Sequence, residues 1–301
     1  LMFVLQDISP TYIDNINNIK INPYLNLDGY NVTVGIPDTG IDYLNEEFIR
    51  EDGTSRILSI WDQTIRNDTP DIGDPYIGKI YSHEQINAAI SAYRNNENPY
   101  AIVPSKDEIG HGTRVAGIIG GRGATDIFKG IANNCNFIIV KLIESTNFKD
   151  MLKENLLEDV PVYNTAEIVA GIEYLKNEFF KLQNKAMVIY LGFGATEGSH
   201  DGGSVLSSYL SNIGTIRGIC LVSGVGNEGD KQGHTTGYIN SKGDFSISEL
   251  LIPRELKKLN VTIWIRKPNK ASLTVISPTE ESSKLIKVKI NRIENFKFVF
   301  T

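Results

Sequence analysis

Short apolar runs alternate with amphipathic stretches between residues 30 and 222, and this alternation limits the fold more than any other feature of the chain. Residues 30–36, 56–61, 136–143, 187–191 and 218–222 read as buried strands. A helical pattern over 84–93 puts Ile86, Ala89, Ile90 and Tyr93 on one face. A longer one carries Ile168, Ile172, Leu175, Phe179 and Leu182 at spacings of 4, 3, 4 and 3. It follows Asn164 and Glu167, spaced as a capping box. A shorter helix is expected over 203–210, and the Asp-, Pro- and Gly-rich stretch 64–79 reads as a surface loop. Strands separated by helices predict an α/β fold with a parallel sheet covered by helices.

Past about residue 235 the alternation stops. Strand-like runs at 259–265, 271–276, 283–290 and 296–300 follow one another with no helix between them. The expected domains are therefore an α/β core over 1–235 and the start of an all-β module over 236–301. The last run stops at Thr301 with no strand after it to pair with, which reads as a chain that has been cut. Residues 1–28 have no strong period. The opening residues lack a charged n-region and a small-residue cleavage site, so they do not read as a signal peptide.

Charge and cysteine usage exclude several function classes. Net charge is −6 and no basic run stands out, which leaves no funnel for nucleic acid. No apolar run reaches the length of a membrane span. The two cysteines, Cys135 and Cys220, lie beside apolar runs and read as buried free thiols. No compact acidic loop has the spacing of a calcium site.

Three polar residues stand where chemistry would be expected. Asp38 follows the first strand in Pro37-Asp38-Thr39-Gly40, at a carboxyl end where open α/β sheets gather functional groups. His111 lies in Glu108-Ile109-Gly110-His111-Gly112-Thr113-Arg114-Val115-Ala116-Gly117, a turn feeding a helix. The positive end of a helix disfavours imidazolium and favours the neutral form that a general base needs. Gly112 and Gly117 leave room for close backbone approach. Asn227 sits in Gly226-Asn227-Glu228-Gly229 after the last strand of the alternating region. Each has an ordinary structural reading: a turn aspartate, a satisfied histidine, a left-handed turn asparagine. Together they supply an orienting carboxylate, a base and an oxyanion donor for acyl transfer.

In this order the three segments resemble the subtilisin-like serine proteases, and Tyr190-Leu191-Gly192 is similar to that family's substrate-pairing strand. The resemblance covers roughly residues 25–235. It implies a subtilisin-like parallel sheet covered by helices and a serine endopeptidase activity. The roles it implies are Asp38 as orienter, His111 as general base, Asn227 as oxyanion donor, and Leu191 and Gly192 as contacts to the substrate backbone. It implies a protein or peptide substrate and the protein's own propeptide as partners, and no cofactor. Calcium is frequent in the family but has no placed site here.

Asp38-Thr39-Gly40-Ile41-Asp42, Gly53-Thr54-Ser55-Arg56, Ile60-Trp61-Asp62-Gln63 and Gly198-Ser199-His200-Asp201-Gly202 resemble the clostridial germination-protease (Csp) branch. In that branch a jelly-roll module lies between the asparagine and serine segments. The branch implies a spore-cortex hydrolase precursor as substrate and a spore-associated or secreted location.

The family's Gly-Thr-Ser nucleophile segment does not follow Asn227. The Gly-Thr-Ser at 53–55 leads into a strand, so Ser55 reads as a decoy. The nucleophile is expected beyond Thr301, and this chain by itself is expected to be inactive. Pro37, Arg114 and Tyr190 depart from the family pattern, the last two where histidine and serine are frequent. Two other readings stay open. One is a pseudoprotease that binds or signals. The other is an unrelated α/β domain in which Asp38 and His111 do not meet.

Overall fold

A computed structural model describes residues 27–68, 75–124, 129–154, 160–184 and 186–227, and the backbone of 2–5. Beyond these it describes 229, 231, 233–254, 256, 259–266, 268–289 and 293–299. The chain forms two compact units, Leu1–Lys258 and Leu259–Thr301.

In the first unit the elements run β1 Met2–Leu5, β2 Thr33–Asp38, β3 Ile57–Asp62, β4 Lys79–Ser82, α1 His83–Arg94, α2 His111–Gly120, β5 Asn136–Lys141 and α3 Thr146–Glu154. They continue with β6 Val162–Asn164, α4 Thr165–Lys181, β7 Met187–Leu191, β8 Phe193–Gly194, α5 Val205–Gly214 and β9 Ile219–Ser223. Six strands form the main sheet in the order β4-β3-β5-β2-β7-β9. All neighbours are parallel except β3 and β4. The expected α/β class with a helix-covered parallel sheet is what forms.

Alternation along the strands separates two apolar layers. Val34, Ile36, Phe137 and Ile139 face α1 and α2, whose Ile86, Ala89, Ile90, Val115 and Ala116 complete one cluster. Ile138, Val140, Met187 and Ile189 face α4, whose Ile168, Ile172, Leu175 and Phe179 complete the other. Gly35 lets α4 come close, since a Cβ there would meet Leu175 Cδ2 at 2.9 Å.

Strand order places a crevice. From β2, the strands β5 and β3 lie to one side, and β7 and β9 to the other. In an open α/β sheet, ligands bind at such a switch point, beyond the carboxyl ends of the strands. β2 pairs with β5 along all of 33–38 but with β7 only over 33–35. Pro37 thus sits in a central strand, yet after the ladder to β7 has ended. A residue with no N–H to donate is tolerated where pairing on one side has been released.

Several expectations need correction. Helix α1 keeps Ile86, Ala89 and Ile90 buried, but Tyr93 is 56% exposed at the rim of that face. Asn164 is the N-cap residue of α4 but makes no side-chain cap bond. Its backbone closes β6 and pairs with Met2, so the capping-box spacing has no box behind it. Cys135 is buried, whereas Cys220 is exposed, because it lies on the edge strand β9. A Cβ on Gly117 would meet nothing, so no close approach explains that glycine. Strand β1 was not foreseen; it joins β6 and β8 in a second, antiparallel sheet.

In the second unit, β10 Ser272–Leu273 pairs antiparallel with β11 Ile286–Lys287, and an isolated bridge joins Ile276 to Ser282. No ladder forms over 259–265 or 296–299 among the described residues. Alternating apolar residues there confer a tendency to extend, but a strand also needs a partner's hydrogen bonds. Two short strands form there among the described residues.

Candidate active site

The site is built where β2 and α2 converge. Asp38, the last residue of β2, is wholly buried, and its Oδ1 accepts the backbone N–H of Thr39 at 2.7 Å. Gly110, the N-cap residue of α2, has φ 81°, a left-handed conformation that a glycine adopts without strain. That turn delivers His111, 4% exposed, as the first helical residue. Its Nδ1 lies 2.7 Å from Asp38 Oδ1. With the carboxylate as acceptor, Nδ1 carries the proton, and in the neutral form of the ring the lone pair lies on Nε2. A Cβ on Gly112 would run into the carbonyl oxygen of Gly40 and lie 3.3 Å from Asp38 Oδ1. The reading in which Asp38 and His111 do not meet is thereby overturned.

A second carboxylate holds this junction. Asp107 Oδ1 accepts from Thr39 Oγ1 and Gly110 N, each at 2.7 Å. Its Oδ2 accepts from Thr113 N at 2.9 Å and Thr113 Oγ1 at 2.7 Å. Burial works against its charge, but the hydrogen bonds from Thr39, Thr113 and Gly110 outweigh burial and hold its pKa below the usual carboxylate range. Thr39 Oγ1 in turn accepts from Gly112 N at 2.9 Å. Asp107 thus links the turn after β2 to the first turn of α2.

Leu191 and Gly192 leave β7 beside the pair. A Cβ on Gly192 would lie 3.0 Å from Asp38 Oδ2, 3.5 Å from His111 Cε1 and 2.9 Å from Tyr190 Cε1. Asp38 Oδ2 is buried without a hydrogen-bond partner. Tyr190 is half-buried on the α2 side of the sheet, and burial, with the Asp38 charge adding, raises its pKa. It keeps its phenolic proton at neutral pH.

Beyond Gly192 the backbone continues as β8. β1 is inserted between β8 and β6, antiparallel to both, with Val4 opposite Gly194 and Val162, and Leu5 opposite Phe193. An extended segment therefore pairs on both edges one residue from the glycine that touches the dyad. Four apolar residues at the chain start carry too little periodicity to announce this.

Asn227 is exposed in the turn after β9 and makes no hydrogen bond to a described residue. Ser55 is fully buried, and its Oγ accepts the Ile57 N–H at 3.0 Å, a structural role. Among the described residues no cluster of His, Cys, Asp or Glu could hold a metal ion. No helix among them is long and apolar enough to cross a membrane.

Two residues that shape the site escaped the sequence reading. Asp107 had a signal, a carboxylate just ahead of a Gly-His-Gly-Thr helix start. Lys141 ends an apolar run and is 9% exposed. A lysine in that position ordinarily reads as solvated, and only folding shows its surroundings.

Comparison with known proteins agrees with this geometry. The search of curated proteins finds no match. Among solved structures, that of the Clostridium perfringens CspB protease is similar, with a TM-score of 0.67 and 26% identity. The alignment covers 93% of this chain and 54% of that one, so the chain spans about half the length of that relative. The family model described as the subtilase family matches residues 29–248. That match takes in most of the chain and includes the strand end and the helix start that bring Asp38 and His111 together, so the chain belongs to the subtilase family.

Proposed function

We propose that this chain carries the base and orienter of a serine endopeptidase. One observation carries the reading: a buried aspartate–histidine pair, 2.7 Å apart, at the switch point of the sheet. His111 Nε2 takes the proton from a serine hydroxyl and later returns it to the leaving amine. Asp38 holds the ring and stabilises the imidazolium that forms. Asn227 donates to the oxyanion, and Leu191 and Gly192 pair with the substrate backbone. The serine comes from sequence beyond Thr301, so the 301-residue chain alone does not hydrolyse peptides.

The substrate is an extended protein segment, a reading supported by the antiparallel pairing of β1 along β8. β1 itself represents the propeptide in this groove. The resemblance of residues 38–42, 53–56, 60–63 and 198–202 to the germination-protease branch supports a role in spore germination, with a spore-cortex hydrolase precursor as the protein cut.

The test is cleavage of that precursor by the full-length protein. His111→Ala should lower kcat by about 10⁴-fold or more, and unchanged cleavage would sink the reading. One observation favours the alternative of a binding pseudoprotease: Tyr190, where serine is frequent in the family, packs against Gly192 beside the dyad. A serine-directed fluorophosphonate separates the two. Labelling of the full-length protein supports the enzyme, and absence of labelling supports the binding protein.

A further inference from the structure

The dyad depends on how the segment before His111 is held, and a buried lysine holds it. Lys141 is the last residue of β5. In the sheet it stands opposite Asp38 of β2 on one side and Asp62 of β3 on the other. The backbone is tied across this row, with Leu142 N donating to Asp38 O at 2.9 Å and Gln63 N to Lys141 O at 3.0 Å. The lysine stem passes under the turn that follows Asp38. A Cβ on Gly40 would lie 3.2 Å from Lys141 Cδ and 3.3 Å from the Lys106 carbonyl oxygen. Gly40 has φ 117°, so glycine is needed there on both counts.

The ammonium group emerges under the segment that leads into α2. It donates to the Lys106 carbonyl and to Glu108 Oε2, both at 2.6 Å, and lies 4.0 Å from Asp62 Oδ2. Asp62 Oδ2 also accepts from Ser105 Oγ at 2.6 Å, which anchors the start of the same segment. Three consecutive residues, Ser105, Lys106 and Asp107, are thus fastened to the strand ends, with Glu108 gripped from below. His111 follows three residues later.

We propose that Lys141 is a positioning residue of the aspartate–histidine pair, pinning residues 105–108 to the strand end that carries Asp38. The inference rests on the protease reading of that pair. A charge buried to this degree is costly unless paired. Here two of its three neighbours, the Lys106 carbonyl and Glu108, belong to the segment ahead of His111, while Lys141 itself pairs with the strand end that carries Asp38. Removing the ammonium frees the Lys106 carbonyl and Glu108, so the histidine can drift on the scale of an ångström. A displacement of that size is worth up to about 100-fold in rate.

The experiment compares wild type with Lys141→Met, which keeps the stem and removes the charge. The first readout is the far-downfield proton resonance of His111 Nδ1, measured on this chain. Wild type should show it, and Lys141→Met should lose or markedly broaden it. Ile172→Ala, on the opposite face of the sheet, controls for general loosening and should retain it. In the full-length protein Lys141→Met should lower kcat by about tenfold or more with KM within about twofold.

An unchanged resonance in Lys141→Met overturns the proposal, and so does its loss in Ile172→Ala as well. Absence of the resonance in wild type overturns the dyad reading itself, which keeps the two failures apart. If Lys141→Met does not fold, Glu108→Ala decides, since Glu108 is 66% exposed and its removal spares the core. Faster amide exchange at Gly110 and Thr113 with a shifted resonance supports the pin. No change in either overturns it.

Discussion

Asp107 accepts four hydrogen bonds without touching Asp38 or His111. It holds one side of the Thr39–Gly112 contact, which lies next to His111 in the chain. Asp107→Asn keeps the shape but replaces acceptors with an amide that cannot accept from all four donors. It should cost about 2 kcal/mol, the scale of lost hydrogen bonds to a charged group. Denaturant unfolding checks this, and a loss below about 0.5 kcal/mol would show that the four bonds are replaceable by solvent. Gly112 is the other residue whose identity the site dictates, because any side chain there strikes the Gly40 carbonyl.

Between elements, Arg56 matters most. It is 3% exposed just before β3 and reaches three separate carbonyls. Nε and Nη2 donate to Cys135 O at 2.9 and 2.7 Å, and Nη1 to Gly120 O at 2.5 Å and Glu47 O at 3.1 Å. It thereby ties the last turn of α2 to the entry of β5, at the opposite end of α2 from His111. Arg56→Met keeps much of the packing but leaves those carbonyls unpaired in the interior. The expected loss is about 3 kcal/mol, read as a lower midpoint in denaturant. The dyad resonance should persist, because the first turn of α2 has its own anchors in Asp107 and Thr39. Loss of that resonance would mean that α2 moves as one rigid body.

At the scale of the whole molecule, the ionisable groups set a window of stability in pH. Burial opposes the charge of Asp107, Glu108 and Glu173, yet the hydrogen bonds they accept lower all three pKa values. A carboxyl whose folded pKa is depressed stabilises the fold above its unfolded value of about 4. That contribution is lost as pH falls through the folded value. At the other end, burial, with Asp62 adding, pushes Tyr81 up to about 12. Burial raises Tyr43, Tyr163 and Tyr174 further. A raised pKa stabilises fully below the unfolded tyrosine value of about 10, and the stability is lost as pH rises from there. The thermal midpoint of this chain should therefore be flat from about pH 5 to 9 and fall on both sides. A midpoint that keeps rising below pH 4 would contradict the carboxylate assignments.

The local sequence determined what local physics can determine. Period-2 and period-3.6 apolar patterns marked β2, β3, β5, β7 and β9 and helices α1, α4 and α5, because each must bury one face. The order of Asp38, His111 and Asn227 in glycine-rich turns pointed to acyl-transfer chemistry, because open α/β sheets gather functional groups at the carboxyl ends of their strands. Other features belong to the tertiary structure alone. The early end of the β2–β7 ladder opens the crevice and accommodates Pro37. β1 finds its two partners only after β6 and β8 exist. The exposure of Cys220 follows from the place of β9 at the sheet edge. Lys141 became a buried pin because three strands brought Asp62, Asp38 and the 105–108 segment around it, a meeting across more than 30 residues of sequence on every side. Hydrophobic periodicity is a property of neighbours along the chain; the surroundings of a charge depend on what the rest of the fold places next to it.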